Sequence, residues 1–227
     1  MIHLNKKILS ILGDYYHDHD IAHEALKKAV DMLNKSGFHT FELVDSGVDG
    51  LEEALEEALS QKFDLVILGK ENRINPTDEV VNNWMTCDIE KKIVDYVNNG
   101  GSWMAWHSGL ALYDETGEYT KMMGGYFLNH PVEHKIVKYI PKSNSSGIIL
   151  KESFEAIDEH YFIKYNLDSS LAFLDSESPY GKSVAGWARE FGDGRICCLA
   201  PTHREEGLTN KVMLETLVDC ISWCCKL

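Results

Sequence analysis

What this chain of 227 residues lacks narrows its function first. Positive charge is scarce: 22 Lys and Arg against 36 Asp and Glu leave a formal net charge of −14, the wrong sign for a phosphate backbone or an anionic membrane surface. No run approaches the roughly 20 apolar residues of a membrane helix. Lys6 and Lys7 precede an apolar run that breaks at Gly13-Asp14, too short for a signal-peptide core with its cleavage site. A cytoplasmic protein without nucleic-acid or membrane partners is expected. The six cysteines, at 87, 197, 198, 220, 224 and 225, contain no C-x-x-C pair and match neither a zinc site nor a secreted disulfide framework, so reduced thiols packed as small apolar side chains are expected. Phosphate signatures are missing too. There is no G-x-G-x-x-G and no P-loop, and Asp14, Asp18 and Asp20 in the first loop repel phosphate, which argues against nucleotides and flavin mononucleotide.

What remains is an alternation of short apolar runs and amphipathic stretches over a length that suits a single domain, residues 1–227. Lys7 to Leu12 reads as a buried strand. A polar loop over 13–20 follows, then a helix over about 21–35 with Asp20 as its N-cap, apolar positions at 21, 25, 26, 29, 30 and 33, and Gly37 at its end. Thr40 to Val44 is a strand, Gly50 to Ser60 a helix, Phe63 to Leu68 a continuously apolar strand, 72–87 a polar connection, and Asp88 to Asn98 a helix. Continuous apolar strands separated by helices predict a parallel sheet with right-handed crossovers. Beyond residue 109 the pattern changes. Val132 to Ile140, Leu171 to Leu174 and Ser183 to Phe191 read as strands, and Asp193-Gly194 turns the last of these into a strand over Arg195 to Leu199. A helix over Thr209 to Cys225 closes the chain. The fold class is therefore α/β: a flavodoxin-like, doubly wound, mostly parallel sheet with antiparallel additions in the C-terminal half. The exposed face of those additions offers a surface for a homo-oligomer.

The most informative stretch is Gly100 to Gly109, GGSWMAWHSG, a buried strand ending in a glycine-bounded turn. In a nucleophile elbow such a turn exposes a Ser or Cys; here His107 stands there, with Ser108 beside it, and covalent acyl transfer loses its usual agent. A strand-end His capping the next helix is the alternative reading. Loops after Leu12, Leu68 and Trp106 are expected to converge at the carboxyl ends of neighbouring strands. Together they bring His17 toward His107, and the hairpin strand ends nearby at Thr202-His203. His130 with His134, and Asp158-Glu159-His160-Tyr161, complete the candidates. His17-x-His19 and His130-x3-His134 fit metal-ligand pairs for zinc or another first-row divalent ion, with solvated residues at a helix start as the bland alternative. The Asp158-Glu159 pair serves acid–base work only if one carboxylate is buried. Trp103 and Trp106 belong to the core, whereas Tyr15, Tyr16 and Tyr161 offer aromatic surface to a pyranose.

His17, the elbow at 100–109, Gly124-Gly125 with Asn129-His130-Pro131, Asp158-Glu159-x-Tyr161, Trp187, Gly192-Asp193-Gly194-Arg195-Ile196, Thr202-His203 and Trp223 occur in an order and spacing that resembles the trehalose-utilisation (ThuA-like) family, within the class I glutamine amidotransferase-like superfamily. The family usually has Gly-His where this chain has Thr202-His203. The resemblance implies a flavodoxin-like fold and a link to carbohydrate metabolism, in particular to disaccharides or their 3-keto derivatives. It does not imply glutaminase activity, because His107 replaces the cysteine that reaction needs. The leading expectation is an enzyme on a sugar or keto-sugar, an isomerase, lyase or hydrolase. In it His107, His203 and Glu159 share proton transfers, and His17, His130, Tyr161 and Ser108 shape the substrate pocket. A divalent, zinc-like ion is the one cofactor considered, with His17, His107 and His203 as candidate ligands. A non-catalytic sugar-binding or regulatory module and a metal-dependent hydrolase of another small molecule are the alternatives.

Overall fold

The computed structural model describes residues 5–37, 39–47, 51–143, 146–166 and 170–227. The first half alternates strand and helix: β1 (Asn5–Leu12), α1 (His19–Lys35), β2 (Thr40–Asp45), α2 (Leu51–Glu57) extended by a wider turn over Ala58–Lys62, β3 (Leu65–Gly69), α3 (Cys87–Asn98) and β4 (Ser102–Trp106). Gly50, the expected start of α2, lies outside the described residues. The second half runs α4 (Glu118–Met123), β5 (Gly125–Asn129), β6 (Lys135–Pro141), β7 (Phe154–Asp158), β8 (Phe162–Tyr165), β9 (Leu171–Ser178), β10 (Gly181–Phe191), β11 (Gly194–Leu199), α5 (Glu205–Leu208) and α6 (Lys211–Cys224).

Nine strands form one sheet in the order β2-β1-β3-β4-β11-β10-β9-β6-β7, while β5 and β8 pair separately. From β2 through β11 all pairings are parallel, and from β11 to β7 all are antiparallel. Because β2 lies on one side of β1 and β3 on the other, right-handed crossovers send α1 and α2 to opposite faces. The consequence is a switch point at the carboxyl ends of β1 and β3, where the loops separate and leave room for a ligand. β3 and β4 are buried at every position, as strands covered on both faces must be. α1 buries Ala25, Leu26, Ala29, Val30 and Leu33, the expected stripe, and packs on α6.

Three sequence expectations shift. The N-cap of α1 is Asp18, whose side chain accepts from the Ile21 amide, rather than Asp20; the helix begins two residues sooner, and Asp20 is left to pair with His19. β6 begins at Lys135, not Val132, because Pro131 has no N–H for a ladder and the bend that follows leaves Val132 fully in solvent. β5, β7, β8, α4 and α5 were not anticipated. Trp103 and Trp106 are core, as expected, and so is Trp187; the indole N–H groups of Trp103 and Trp187 donate to Tyr119 Oη and the Met123 carbonyl. Among the described residues all six cysteines are free, five of them buried and Cys87 exposed. No helix of the described residues is long and apolar enough to cross a membrane.

Candidate functional site

Four loops meet above the carboxyl ends of the parallel strands. After β1, Gly13 turns the chain with φ +85°, a conformation open to glycine, and its amide donates to the Gly69 carbonyl at the end of β3. Asp14 Oδ1 then accepts from the amides of Tyr16 and His17 and from His17 Nδ1 at 2.6 Å, while its Oδ2 accepts from the Glu71 amide. Burial raises the Asp14 pKa, but the hydrogen bond and charge of His17 outweigh it and hold the carboxyl at about 2. Asp14 is thus a fixed anion that accepts the Nδ1 proton of His17 and aims Nε2 into the site.

The elbow after β4 behaves in the same way. His107 has φ +46°, a left-handed backbone that costs a non-glycine residue about 1 kcal/mol or more. Gly109 makes the turn possible, because a Cβ there would lie 2.0 Å from the Leu68 carbonyl oxygen. Only 5 % exposed, His107 donates through Nδ1 to the Ala200 carbonyl at 2.6 Å. The Trp106 indole donates to the Pro201 carbonyl, so strand β4 and the corner after β11 hold each other in register. That corner delivers His203, whose amide donates to Asp158 Oδ1 at 2.8 Å.

Asp158 and Glu159 divide the work of the expected acid pair. Asp158, wholly buried at the end of β7, accepts from the amides of Glu159 and His203 and from Tyr139 Oη. It ties two site segments together and faces no solvent. Glu159 turns the other way. Its Oε2 lies 3.5 Å from His107 Nε2 and 3.6 Å from His203 Nδ1, and its Oε1 lies 3.5 Å from His134 Nε2 and 3.9 Å from His130 Nε2. Burial raises its pKa, but the imidazoles of His107, His203 and His130 overcome that and hold the carboxylate at about 2.

His17 Nε2, His107 Nε2 and His203 Nδ1 are all buried and make no hydrogen bond among the described residues. One ligand atom from each of these, with one from Glu159, lies within 4.8 Å of the others. The 3.5 and 3.6 Å separations are too long for good hydrogen bonds. They are close to the roughly 3.3 Å between two donors on one tetrahedral ion with bonds near 2.05 Å. Without an ion, the gap favours a proton on His107. Burial lowers its pKa, yet the Glu159 carboxylate 3.5 Å from Nε2 and the charge of Asp158 raise it above the ordinary value. His203 goes the other way, to about 4, through burial and then the like charge of His107.

Of the metal candidates read from the sequence the set contains His17, His107 and His203, and it adds Glu159. The pair His17-x-His19 separates: helix α1 starts between them, and His19 faces Asp45 instead. His130 and His134 do stay together, one third exposed at the mouth on the far oxygen of Glu159. Tyr161, 4 % exposed, stacks on His107 with ring centroids 4.3 Å apart and forms a wall behind it. Ser108 is buried in the turn after β4 and lies outside the four-ligand set. Asp14 and the Ala200 carbonyl were missed as site groups; the aspartate two residues before Tyr16 and three before His17 was the available signal. A cavity of about 600 Å³ lined by Leu55, Leu59, Ile89 and Tyr96 lies elsewhere, between α2 and α3, and gathers no comparable set of groups.

A family model described as ThuA, trehalose utilisation, matches residues 8–224. This chain belongs to the ThuA family. That membership places it in carbohydrate metabolism. The ThuA-family fold is shared by a protein described as ThuA-like from Parabacteroides merdae, with a TM-score of 0.72 at 14% identity over 98% of this chain and 90% of that one. A β-galactosidase from Bacillus circulans sp. alkalophilus resembles the chain over 30% of the enzyme's length and 96% of this one, with a TM-score of 0.61 at 12% identity. A cytoplasmic protein from Salmonella typhimurium LT2 aligns over 97% of this chain and 99% of its own, with a TM-score of 0.62 at 10% identity. A search of curated proteins finds no match.

Proposed function

We propose that this ThuA-family protein is a divalent-metal enzyme acting on a disaccharide or 3-keto-sugar, with His17, His107, Glu159 and His203 as ligands. The observation that carries the reading is the convergence of three buried imidazole nitrogens without hydrogen-bond partners on one carboxylate. Two of the rings have their tautomers fixed from behind by Asp14 and the Ala200 carbonyl, the arrangement that orients metal-bound histidines. Such a set suits zinc or another borderline first-row ion. When bound, the ion supplies Lewis-acid polarisation of a keto oxygen.

The protein's own groups then handle protons. His134 and His130 stand on the open side of Glu159 and are the residues within reach of a sugar entering from solvent. One of them removes the proton from the carbon between the keto group and the glycosidic carbon. The electron pair left behind expels the glycosidic oxygen, which takes a proton back, so elimination cleaves the link without a nucleophilic Ser or Cys. His130 donates through Nδ1 to the Pro131 carbonyl, which leaves its Nε2 as the basic atom. Tyr161 excludes water behind His107 and does not serve as a stacking surface.

The test measures metal by elemental mass spectrometry after dialysis and follows a 3-keto-disaccharide in D2O by NMR. Near-stoichiometric metal that falls in His107→Ala, with the hydrogen beside the keto group lost as the monosaccharide is released and an unsaturated keto-sugar left behind, supports the proposal. Release with that hydrogen retained and no unsaturated product points to direct hydrolysis. A metal-free protein that binds the sugar and returns it unchanged overturns the enzyme reading in favour of a binding module.

A further inference from the structure

A second group of metal-ligating side chains lies outside the site just described. His19 and His23 are four residues apart at the start of α1, so a single helical turn places both rings on one face. The rings are nearly parallel, 8° apart with centroids separated by 5.6 Å. Asp45, at the end of β2, reaches both: its Oδ2 is 3.0 Å from His19 Nε2 and its Oδ1 3.7 Å from His23 Nδ1. One ligand atom from each of the three residues lies within 4.8 Å of the others.

From this juxtaposition we propose that His19, His23 and Asp45 form a second site for a divalent transition-metal ion. Three observations support a built site. Asp45 is fixed from below by Ser10, which is completely buried and donates through Oγ to Asp45 Oδ1 at 3.0 Å. His19 is fixed by Asp20, which accepts from Nδ1 at 2.9 Å and aims Nε2 at Asp45. His23 Nδ1 is a buried atom with no hydrogen-bond partner among the described residues, turned toward the same carboxylate. Two imidazoles and one carboxylate select zinc, nickel or copper(II) over the hard cations magnesium and calcium, which prefer oxygen. The side chains remain 15 to 26 % exposed, which leaves a coordination position open to solvent and makes the ion exchangeable.

The location gives the site a role. His19 is two residues from His17, and its Cβ sits 2.7 Å from where a Cβ on Gly13 would lie, so the first loop is packed against it. An ion bridging α1 to β2 stiffens the segment that carries Asp14 and His17.

The test is a titration of metal-stripped full-length protein with Zn2+ by calorimetry, and with Cu2+ by electron paramagnetic resonance. The expected result is two equivalents for the wild type. His19→Gln with His23→Gln loses the weaker one, whereas His17→Gln with His203→Gln loses the tighter one and keeps the weaker. Both double variants are checked for native circular dichroism, and the glutamines keep the packing at Cβ and Cγ. Equal stoichiometry in the wild type and the His19/His23 variant overturns the second site, as does a single equivalent that only the His17/His203 variant loses. Because each site is deleted separately, failure of the main centre leaves the result for this one readable.

Discussion

At the residue scale the site depends on which nitrogen carries a proton. Asp14 sets this for His17, so Asp14→Asn is expected to weaken metal affinity about 10- to 100-fold while leaving the fold intact, measured by competition with a chromophoric chelator. Proton competition adds a pH dependence. His203 ordinarily titrates at 6.5 and is depressed to about 4 here, so between those values the unfolded chain binds more protons than the folded one. Metal-free protein therefore loses stability as pH falls from 6.5 toward 4, and Glu159, held at about 2, extends the loss from 4.5 downward. His107, whose folded pKa is raised, contributes in the opposite sense, and that contribution fades as pH rises through its folded value. Thermal midpoints across pH 3 to 8 check this: His203→Gln should flatten the slope between 6.5 and 4, and an unchanged slope would remove His203 as its source.

At the scale of elements, the elbow and the end of β7 position the ligands. Gly109→Ala drives a Cβ into the Leu68 carbonyl oxygen; the expected cost is about 3 kcal/mol, read as a lower urea midpoint. Asp158→Ala strands two amides and a tyrosine hydroxyl, at about 2–4 kcal/mol. Asp158→Asn keeps one acceptor oxygen and should recover part of that stability. The alternation through β4 was readable because each strand there is apolar throughout and each helix has one greasy stripe. β7 was not readable, although its residues alternate in burial, because its last inward position is filled by a carboxylate. β5 and β8 are five and four residues long and pair outside the main sheet, too short for a periodic signal. His17, His107 and His203 stood out as histidines at strand ends. That His17 and His19 face different ways was hidden, because it depends on where α1 begins, and the cap is Asp18, two residues before the expected Asp20.

At the scale of the molecule, an ion held by groups from four separate segments should stabilise the whole fold, since only the folded chain brings them together. Chelator treatment is expected to lower the thermal midpoint by several degrees, and readdition of Zn2+ to restore it; no shift in differential scanning calorimetry would argue against a resident ion. The parallel half supplies His17 and His107, and the antiparallel half supplies Glu159 from the end of β7, separated from β4 by four intervening strands in the sheet order. His203 follows β11, the strand where the two halves join. During synthesis the chain therefore makes three of the four ligands well before the last. A nascent polypeptide that has emerged only through β10 has no complete set of these four side chains, so uptake of the proposed ion would serve as a timestamp for the completion of β11 and would distinguish finished molecules from stalled ones.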